Sequence, residues 1–277
     1  MQLDVDRPDD IPVRDAATVM LVRDGADGVE VFMLRRNLNS DFVGGAYVFP
    51  GGGVDPGDGA AEVEDLCIGR TDASSSTLLG VPSGGLAFWV AAIRESFEEA
   101  GLLLAVDDDD EMVRFDDPVV NERFVEHRRR VDDGAVPLVD VIRAEGLRLA
   151  TDRIHYFSRW VTPLGAPRRY DTRFFVAHPP EWQVAVHDDH EVIANLWIRP
   201  GDALERHARG EFELIFPTVR SLEALQRFDT ADAVVRHAAA ISHIEPILPT
   251  IVDGEHGMRI VLPGDGSYDA FTSRRLD

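Results

Sequence analysis

Residues 94–102 read RESFEEAGL, and this stretch decides the prediction of the fold. An α-helix turns by about 100° per residue, so Glu95, Glu98 and Glu99 fall on one stripe of a helix. Apolar side chains gather on the other side, so we predict a helix from about Leu86 to Ala100 that packs on one face and presents three carboxylates on the other. Gly101 follows where a glycine often ends a helix in the left-handed conformation.

Three like charges on one stripe destabilise an isolated helix by roughly 0.2–0.5 kcal/mol per pair. A bound cation would relieve this repulsion, and clustered carboxylate oxygens suit a hard divalent ion such as Mg²⁺ or Mn²⁺. Arg94 precedes Glu98 by four residues and can hold its carboxylate from the second shell of such a site. A glutamate-rich helix face is more often simply solvated, so the stretch alone leaves both interpretations open.

A glycine run upstream favours the ligand-binding interpretation. Residues 49–58 read FPGGGVDPGD and follow a short predicted strand, Ala46–Phe49. Glycine lets a ligand approach the backbone closely and leaves carbonyl groups free as metal ligands. A glycine run by itself is often an ordinary turn, but together with the carboxylate helix it indicates a binding site.

The two segments resemble the signature of the Nudix hydrolases, G-x5-E-x7-R-E-U-x-E-E-x-G-U, in which U is aliphatic. The matching residues are Gly52, Asp58, Arg94, Glu95, Glu98, Glu99, Gly101 and Leu102. Asp58 replaces the first Glu, and Ser96 occupies an aliphatic position. Residues 59–93 number 35 where the signature has seven, an insertion of 28 in the loop before the helix. Added length costs little stability there.

A box interrupted in this way resembles the peroxisomal coenzyme A diphosphatases of animals and their bacterial relatives. The resemblance extends to residues 41–52 (DFVGGAYVFPGG), 160–163 (WVTP) and 168–175 (RRYDTRFF). Nudix enzymes that cleave coenzyme A often carry a further motif, of which this chain keeps Arg36, Gly45 and residues 49–52. Asp41 occupies the position of that motif's second Arg, which leaves the substrate open.

The resemblance implies a divalent-metal hydrolase that cleaves a diphosphate linkage in a nucleotide-like substrate. The implied metal ligands for Mg²⁺ or Mn²⁺ are Glu95, Glu98, Glu99 and the carbonyl of Gly51. Catalysis is expected to use Glu98, Glu99 and Arg94, with Glu191, before the predicted strand Val192–Ile198, as candidate general base. A surface position is an equally good interpretation of Glu191.

Substrate phosphates need cationic partners, and an Arg fork matches phosphate oxygens. Our candidates are Arg36 and Arg173, with Gly52 and Gly53 allowing a close approach. Three aromatic residues are candidates to stack on a base, although core packing is the better expectation for two of them. They are Trp160, Tyr170 and Phe174.

The charge balance restricts the partners. The 277 residues include 28 basic and 50 acidic residues, a net charge of −22, which repels nucleic-acid polymers and anionic membranes. All the basic residues are Arg, which excludes Schiff-base and P-loop lysine chemistry. The single cysteine, Cys67, excludes an internal disulfide. Lacking an apolar run long enough for a bilayer, the chain is expected to be soluble and cytoplasmic.

Further strands and helices without regular βαβ alternation predict an α+β fold, the Nudix fold, with a mixed sheet between helices. We expect a hairpin over Thr18–Val22 and Val29–Leu34, and further strands at Ile154–Val161, Arg173–His178 and Gln183–Val186. The expected later helices are Val119–Asp132, Leu138–Glu145, Pro200–Arg209, Pro217–Phe228 and Thr230–Ile241. A last hairpin is expected from Ile247–Val252 and Met258–Leu262.

We divide the chain into an N-terminal arm (1–15), a hydrolase domain (16–245) and a C-terminal extension (246–277). The insertion, at about 59–85, is expected to be a long loop or a small excursion from the domain. Nudix enzymes often dimerise, so a homodimer stays open. The alternative functions are a Nudix-fold binding or regulatory module without turnover, and an acidic scaffold that needs no metal.

Overall fold

The computed structural model describes residues 11–37, 44–185, 192–254 and 257–263. Its strands are β1 Val13–Gly25, β2 Gly28–Arg36, β3 Tyr47–Val48, β4 Gly51–Gly53, β5 Ala105–Val106, β6 Arg148–Leu149, β7 His155–Val161, β8 Arg169–Ala177, β9 Val192–Ile198, β10 Thr250–Gly254 and β11 Gly257–Val261. Its α-helices are α1 Asp72–Leu79, α2 Leu86–Ala100, α3 Pro118–Asp132, α4 Leu138–Ala144, α5 Pro200–Ala208, α6 Phe216–Leu225 and α7 Ala231–Ala239.

A seven-stranded mixed sheet lies between two layers of helices. Its order is β3-β2-β1-β8-β7, with β4 paired to β1 and β9 paired to β2. Helices α1 to α4 bury their apolar side chains against one face, and α5 to α7 cover the other. The prediction of an α+β fold with a sheet between helices is therefore confirmed.

The sheet forks at the segment that carries the glycines. Strands β1 and β2 pair only near their hairpin, from Val22 opposite Val31 to Gly25 opposite Gly28. Farther from the hairpin β3 pairs with β2, and β4 pairs with β1 over Ala16–Thr18. Residues 47–53 thus fill the space where the two long strands separate.

Most of the predicted elements occur within a few residues of their expected bounds. The first hairpin, the later helices, the strands at β7 to β9 and the last hairpin are all confirmed. No strand was predicted over the glycine run, but Gly51–Gly53 forms the short strand β4. Glycine has no side chain to contribute an alternating pattern, which is why this strand carries no sequence signature.

The prediction of a long loop over residues 59–85 is wrong in part. A 3₁₀ helix, Ala61–Leu66, and helix α1 lie within it. Thr71 caps α1 by accepting a hydrogen bond from the Ser74 N–H, and Gly80 ends it at φ 67°. The helix consists mainly of small polar residues, so its periodicity is too weak to predict.

The strand predicted at Gln183–Val186 is absent over 183–185, and Val186 lies outside the described residues. In place of strand pairing, the buried side chain of Gln183 forms hydrogen bonds to the backbone of two other segments. Its Oε1 accepts from the Leu103 N–H at 2.8 Å, and its Nε2 donates to the Leu103 and Val113 carbonyls.

After α7 the chain returns to the sheet. Ile247 donates its N–H to the Arg159 carbonyl at 2.8 Å and accepts from the Val161 N–H at 2.9 Å, so it pairs with the edge of β7. Strands β10 and β11 then form the final hairpin. In the described part of the chain, no helix is both long enough and apolar enough to cross a bilayer.

Candidate active site

Helix α2 has the predicted bounds, but its surroundings differ from the prediction. Gly101 ends it with φ 69°, and its N–H donates to the carbonyls of Phe97 and Ser96. Every residue of the helix except Glu98 is buried, including Glu95 and Glu99. The solvated carboxylate face, which the sequence left open as an alternative, is therefore not observed: the insertion, β4 and α3 enclose the helix.

Arg94 connects the carboxylates of this site. Its Nη1 donates to Glu95 Oε1 at 2.9 Å and to Glu98 Oε2 at 2.8 Å. Its Nε donates to Asp58 Oδ1 at 3.0 Å, and its Nη2 donates to the Gly53 carbonyl at 2.7 Å. Asp58 also accepts from the Asp55 N–H, so a single guanidinium joins the helix to the glycine segment and to the start of the insertion.

The strand register determines which way the glycines point. Gly51 pairs with Thr18, between hydrogen-bonded positions at which the Val19 N–H donates to Pro50 and the Val54 N–H donates to Asp15. Bonded and non-bonded pairs alternate in an antiparallel ladder, so the N–H and carbonyl of Gly51 turn away from β1. The Gly51 N–H accordingly donates to Glu99 Oε2 at 2.9 Å.

Gly52 lies directly against Glu95. A Cβ placed on Gly52 would be 2.5 Å from Glu95 Oε1, so the Glu95 carboxylate would have to move. The same addition at Gly53 would meet nothing within 4 Å. Gly52 thus leaves the Glu95 carboxylate in its observed position, whereas Gly53 contributes its carbonyl to Arg94.

Burial raises the pKa of several carboxyl groups at this site. Burial raises the pKa of Glu95 to about 8, against the opposing effect of Arg94, and Glu98 adds to the increase. Burial likewise raises the pKa of Glu98 to about 7. The pKa of Asp58 is also raised by burial, although hydrogen bonds from Arg94 lower it. Three carboxyl groups, those of Asp58, Glu95 and Glu98, share the guanidinium of Arg94.

This donor set fits a hard divalent cation, which takes carboxylate and carbonyl oxygens and would supply the missing positive charge. Within the described ranges, no group of three or more carboxylate, histidine or cysteine side chains is arranged to hold a metal ion as it stands. Arg94 accounts for one oxygen each of Glu95 and Glu98. Those side chains would have to share their oxygens between Arg94 and a metal.

The two arginines predicted to bind phosphate lie in different surroundings. Arg36 lines a cavity that also reaches Gly51, and its buried Nε has no hydrogen-bond partner among the described residues. Arg173 is 2% exposed, its Nη1 bonds Asp15 and Asp171, and its guanidinium lies 4.2 Å from the ring centre of Phe88. Arg173 is thus held by two carboxylates and an aromatic ring, and its predicted role in phosphate binding stays a prediction.

The cavity beside Gly51 has a volume of about 390 Å³ and lies on the face of the sheet opposite α2. Trp160, Tyr170 and Phe174, proposed from the sequence as stacking residues, all line it. The sequence analysis missed its walls from α6 and from the C-terminal extension, since these join the site only through folding. Glu191 and Asp41 lie outside the described residues.

Comparison with known proteins gives the family. Residues 68–225 match the model of the NUDT19 Nudix domain. The chain is 28% identical to the acyl-coenzyme A diphosphatase NUDT19 of Gallus gallus, covering 92% of this chain and 79% of the relative. The corresponding figures for the Homo sapiens protein of that name are 26%, 88% and 73%.

A solved structure agrees with this match. The crystal structure of a NUDIX hydrolase from Alicyclobacillus acidocaldarius superimposes with a TM-score of 0.68 at 29% identity, covering 82% of this chain and 97% of that one. The Nudix fold and the resemblance to the branch with an interrupted box are therefore confirmed. The chain belongs to the NUDT19 Nudix domain family of the Nudix hydrolases.

Proposed function

We propose that this protein hydrolyses the diphosphate linkage of coenzyme A or acyl-coenzyme A with the help of Mg²⁺ or Mn²⁺. One observation carries the proposal: a buried carboxylate cluster on α2 faces the glycine strand β4 beside a cavity large enough for a ligand. The names of the relatives from Gallus gallus and Homo sapiens support the choice of substrate.

Glu95, Glu98, Glu99 and the Gly51 carbonyl are the proposed metal ligands. A divalent cation bound there neutralises phosphate charge and lowers the pKa of a water ligand. The orientation of Gly51 away from β1 supports its part in this set, because its carbonyl turns to the same side as the N–H that bonds Glu99.

Arg94 and Asp58 act as positioning residues. Arg94 holds one oxygen each of Glu95 and Glu98, and Asp58 fixes the other edge of the guanidinium. Geometry held in this way removes the cost of ordering the carboxylates when substrate arrives.

Arg36 is the proposed phosphate-binding cation, and Gly52 and Gly53 allow the diphosphate to approach the backbone. A water molecule attacks one phosphorus, and the bond from that phosphorus to the bridging oxygen breaks. The attacking water's oxygen stays on that phosphorus, and the other phosphate leaves with the bridging oxygen. With coenzyme A the products are 3′,5′-ADP and 4′-phosphopantetheine.

Glu191 is the proposed general base that accepts the water's proton. Its place in the chain, directly before β9, is the support for this proposal. A Glu191→Gln variant should lower kcat by about 10²-fold or more, as expected for loss of a general base. A kcat equal to that of the parent protein would remove Glu191 from the mechanism.

We assign the activity to residues 16–245, with 1–15 as an N-terminal arm and 246–277 as a C-terminal extension. The proposed partner is a small anionic substrate in the cytoplasm, and the proposed assembly is a homodimer. Size-exclusion chromatography with light scattering tests the assembly directly, because a monomeric mass would contradict it.

The test of function is a hydrolysis panel with Mg²⁺ or Mn²⁺ and identification of the products. It should contain coenzyme A, acyl-coenzyme A, NADH, ADP-ribose and diadenosine polyphosphates. We expect metal-dependent release of 3′,5′-ADP from the coenzyme A compounds. Preferential cleavage of another dinucleotide would replace the substrate but keep the reaction. Binding without turnover of any compound would favour the alternative, a regulatory Nudix module.

A further inference from the structure

The cavity beside Gly51 has almost entirely apolar walls. Trp160, Phe174 and Phe216 line it, together with Ile215 and Pro217 at the start of α6. Apolar walls with a few convergent polar groups are typical of small-molecule sites. Gly51 itself belongs to the lining, so the cavity adjoins one residue of the proposed diphosphate site.

The C-terminal extension supplies part of the wall. The pairing of Ile247 with the edge of β7 fixes the chain just before Pro249, and Pro249 and Ile260 both line the cavity. Ile260 is 39% exposed, so its side chain is accessible to a ligand in the cavity. The C-terminal extension therefore forms part of the cavity wall.

The charges in the cavity suit an anion attached to an apolar group. Arg36 is the one charged residue among the described lining residues, and they include no carboxylate. This contrasts with the net charge of −22 of the whole chain. An anionic group near Arg36 and Gly51 with an apolar extension toward Ile260 would match both parts of the lining.

The aromatic geometry favours an aliphatic group over a nucleobase. The rings of Trp160 and Phe216 are 5.9 Å apart at an angle of 85°, so they are not parallel plates that could sandwich a base. The Thr162 hydroxyl already accepts a hydrogen bond from the Tyr170 N–H at 3.0 Å. The described lining contains no side-chain amide or carboxylate to pair with the polar edge of a base.

We propose that this cavity receives the aliphatic arm of the substrate, and that the C-terminal extension, through Pro249 and Ile260, forms the wall that selects it. The arm is the pantetheine chain with any acyl group that it carries, and the nucleoside half lies outside the cavity. This inference rests on the proposed function for the identity of the substrate, but its test does not require turnover.

The first experiment measures binding of the two halves of the substrate to the full-length protein in Mg²⁺. The ligands are 4′-phosphopantetheine, its S-decanoyl thioester and 3′,5′-ADP, none of which contains a diphosphate bond. Tryptophan fluorescence reports occupancy of the cavity, and a Trp160→Phe variant identifies the part of the signal that comes from the lining. We expect the two arm fragments, but not 3′,5′-ADP, to change the Trp160 signal saturably.

The second experiment tests whether the C-terminal extension contacts the bound ligand through Ile260. Ile260→Asp should raise the Kd of the S-decanoyl fragment at least about fivefold, since it replaces an apolar contact by a charge that repels the ligand. The matched control is Val125→Asp, a 58% exposed apolar residue on α3, which should leave this Kd unchanged. Binding of 3′,5′-ADP and the melting temperature should stay the same in both variants.

Three outcomes overturn the inference. They are a Trp160 response to 3′,5′-ADP alone, no Trp160 response to the arm fragments, and equal effects of Ile260→Asp and Val125→Asp. Failure of the proposed function looks different: the fragments would bind as expected, but intact coenzyme A compounds would not be hydrolysed.

Discussion

The sequence predicts the pairing of Arg94 on helix α2, but it does not predict the burial of Glu95 and Glu99. The spacing correctly predicts that Arg94 pairs with Glu98, because residues four apart meet on a helix. It does not predict that Glu95 and Glu99 are buried, because their burial depends on β4, which is distant in the chain. A carboxylate stripe looks like a solvated face until the element that covers it is known.

The contact of Gly52 with Glu95 leads to a prediction about a single substitution. Gly52→Ala should lower kcat/KM for coenzyme A hydrolysis at least about tenfold, because the new Cβ would displace the Glu95 carboxylate. Steady-state kinetics with Mg²⁺ measures this effect. The matched control is Gly57→Ala, whose Cβ would meet nothing within 4 Å, and it should retain the parent activity. Equal activity of the two variants would contradict the proposed close packing of β4 on α2.

At the scale of elements, the insertion fastens the start of α2. Asp72, at the first position of α1, accepts hydrogen bonds from the Gly84 N–H at 2.9 Å and the Leu86 N–H at 3.1 Å. These contacts close the loop between the two helices. The insertion that interrupts the signature therefore supports the helix that carries the carboxylates.

This arrangement predicts a pH-dependent contribution to stability. Burial opposes ionisation of Asp72, but the backbone N–H groups stabilise the carboxylate and hold its pKa below the ordinary value. The carboxylate therefore stabilises the fold fully above the unfolded-state pKa of about 3.9, and less as the pH falls through the lower folded-state pKa. Asp72→Asn should lower the free energy of unfolding at neutral pH by about 1–2 kcal/mol.

Urea denaturation of parent and variant between about pH 7 and pH 3 checks this prediction, with the difference shrinking toward the acid end. Asp133→Asn, at a 57% exposed side chain paired with Arg129, is the control and should change stability by less than about 0.5 kcal/mol. A difference between Asp72→Asn and the parent that stays constant with pH would show that the carboxylate charge does not stabilise this loop.

Elements differ in how far the sequence predicts them. Helix α2 combines a clear apolar pattern with a glycine at its end, so its bounds are predicted correctly. Strand β4 consists of three glycines and α1 of mostly small polar residues, so neither has a pattern of apolar side chains to read. Their positions depend instead on pairing with β1 and on the capping contacts of Thr71 and Asp72.

For the whole molecule, the prediction of a sheet between helices is correct because most elements carry a recognisable periodicity. The fork between β1 and β2 is not predictable in the same way, since it follows from which strands fill the gap between them. The same holds for the cavity, which gathers residues from 18 to 260. The resemblance to the Nudix hydrolases predicts hydrolysis of a diphosphate linkage. The residues that line the neighbouring cavity are known only from the fold.

We propose that the α2 carboxylates hold the divalent cation that the hydrolysis requires. The most direct test measures Mg²⁺-dependent hydrolysis of coenzyme A by the Glu98→Gln variant, which keeps the shape of the side chain but removes its charge. The control is Glu126→Gln, at a 56% exposed side chain on α3. We predict at least about a hundredfold loss of kcat for Glu98→Gln, with an unchanged melting temperature and full activity of the control. Activity of Glu98→Gln close to that of the parent protein would contradict the account.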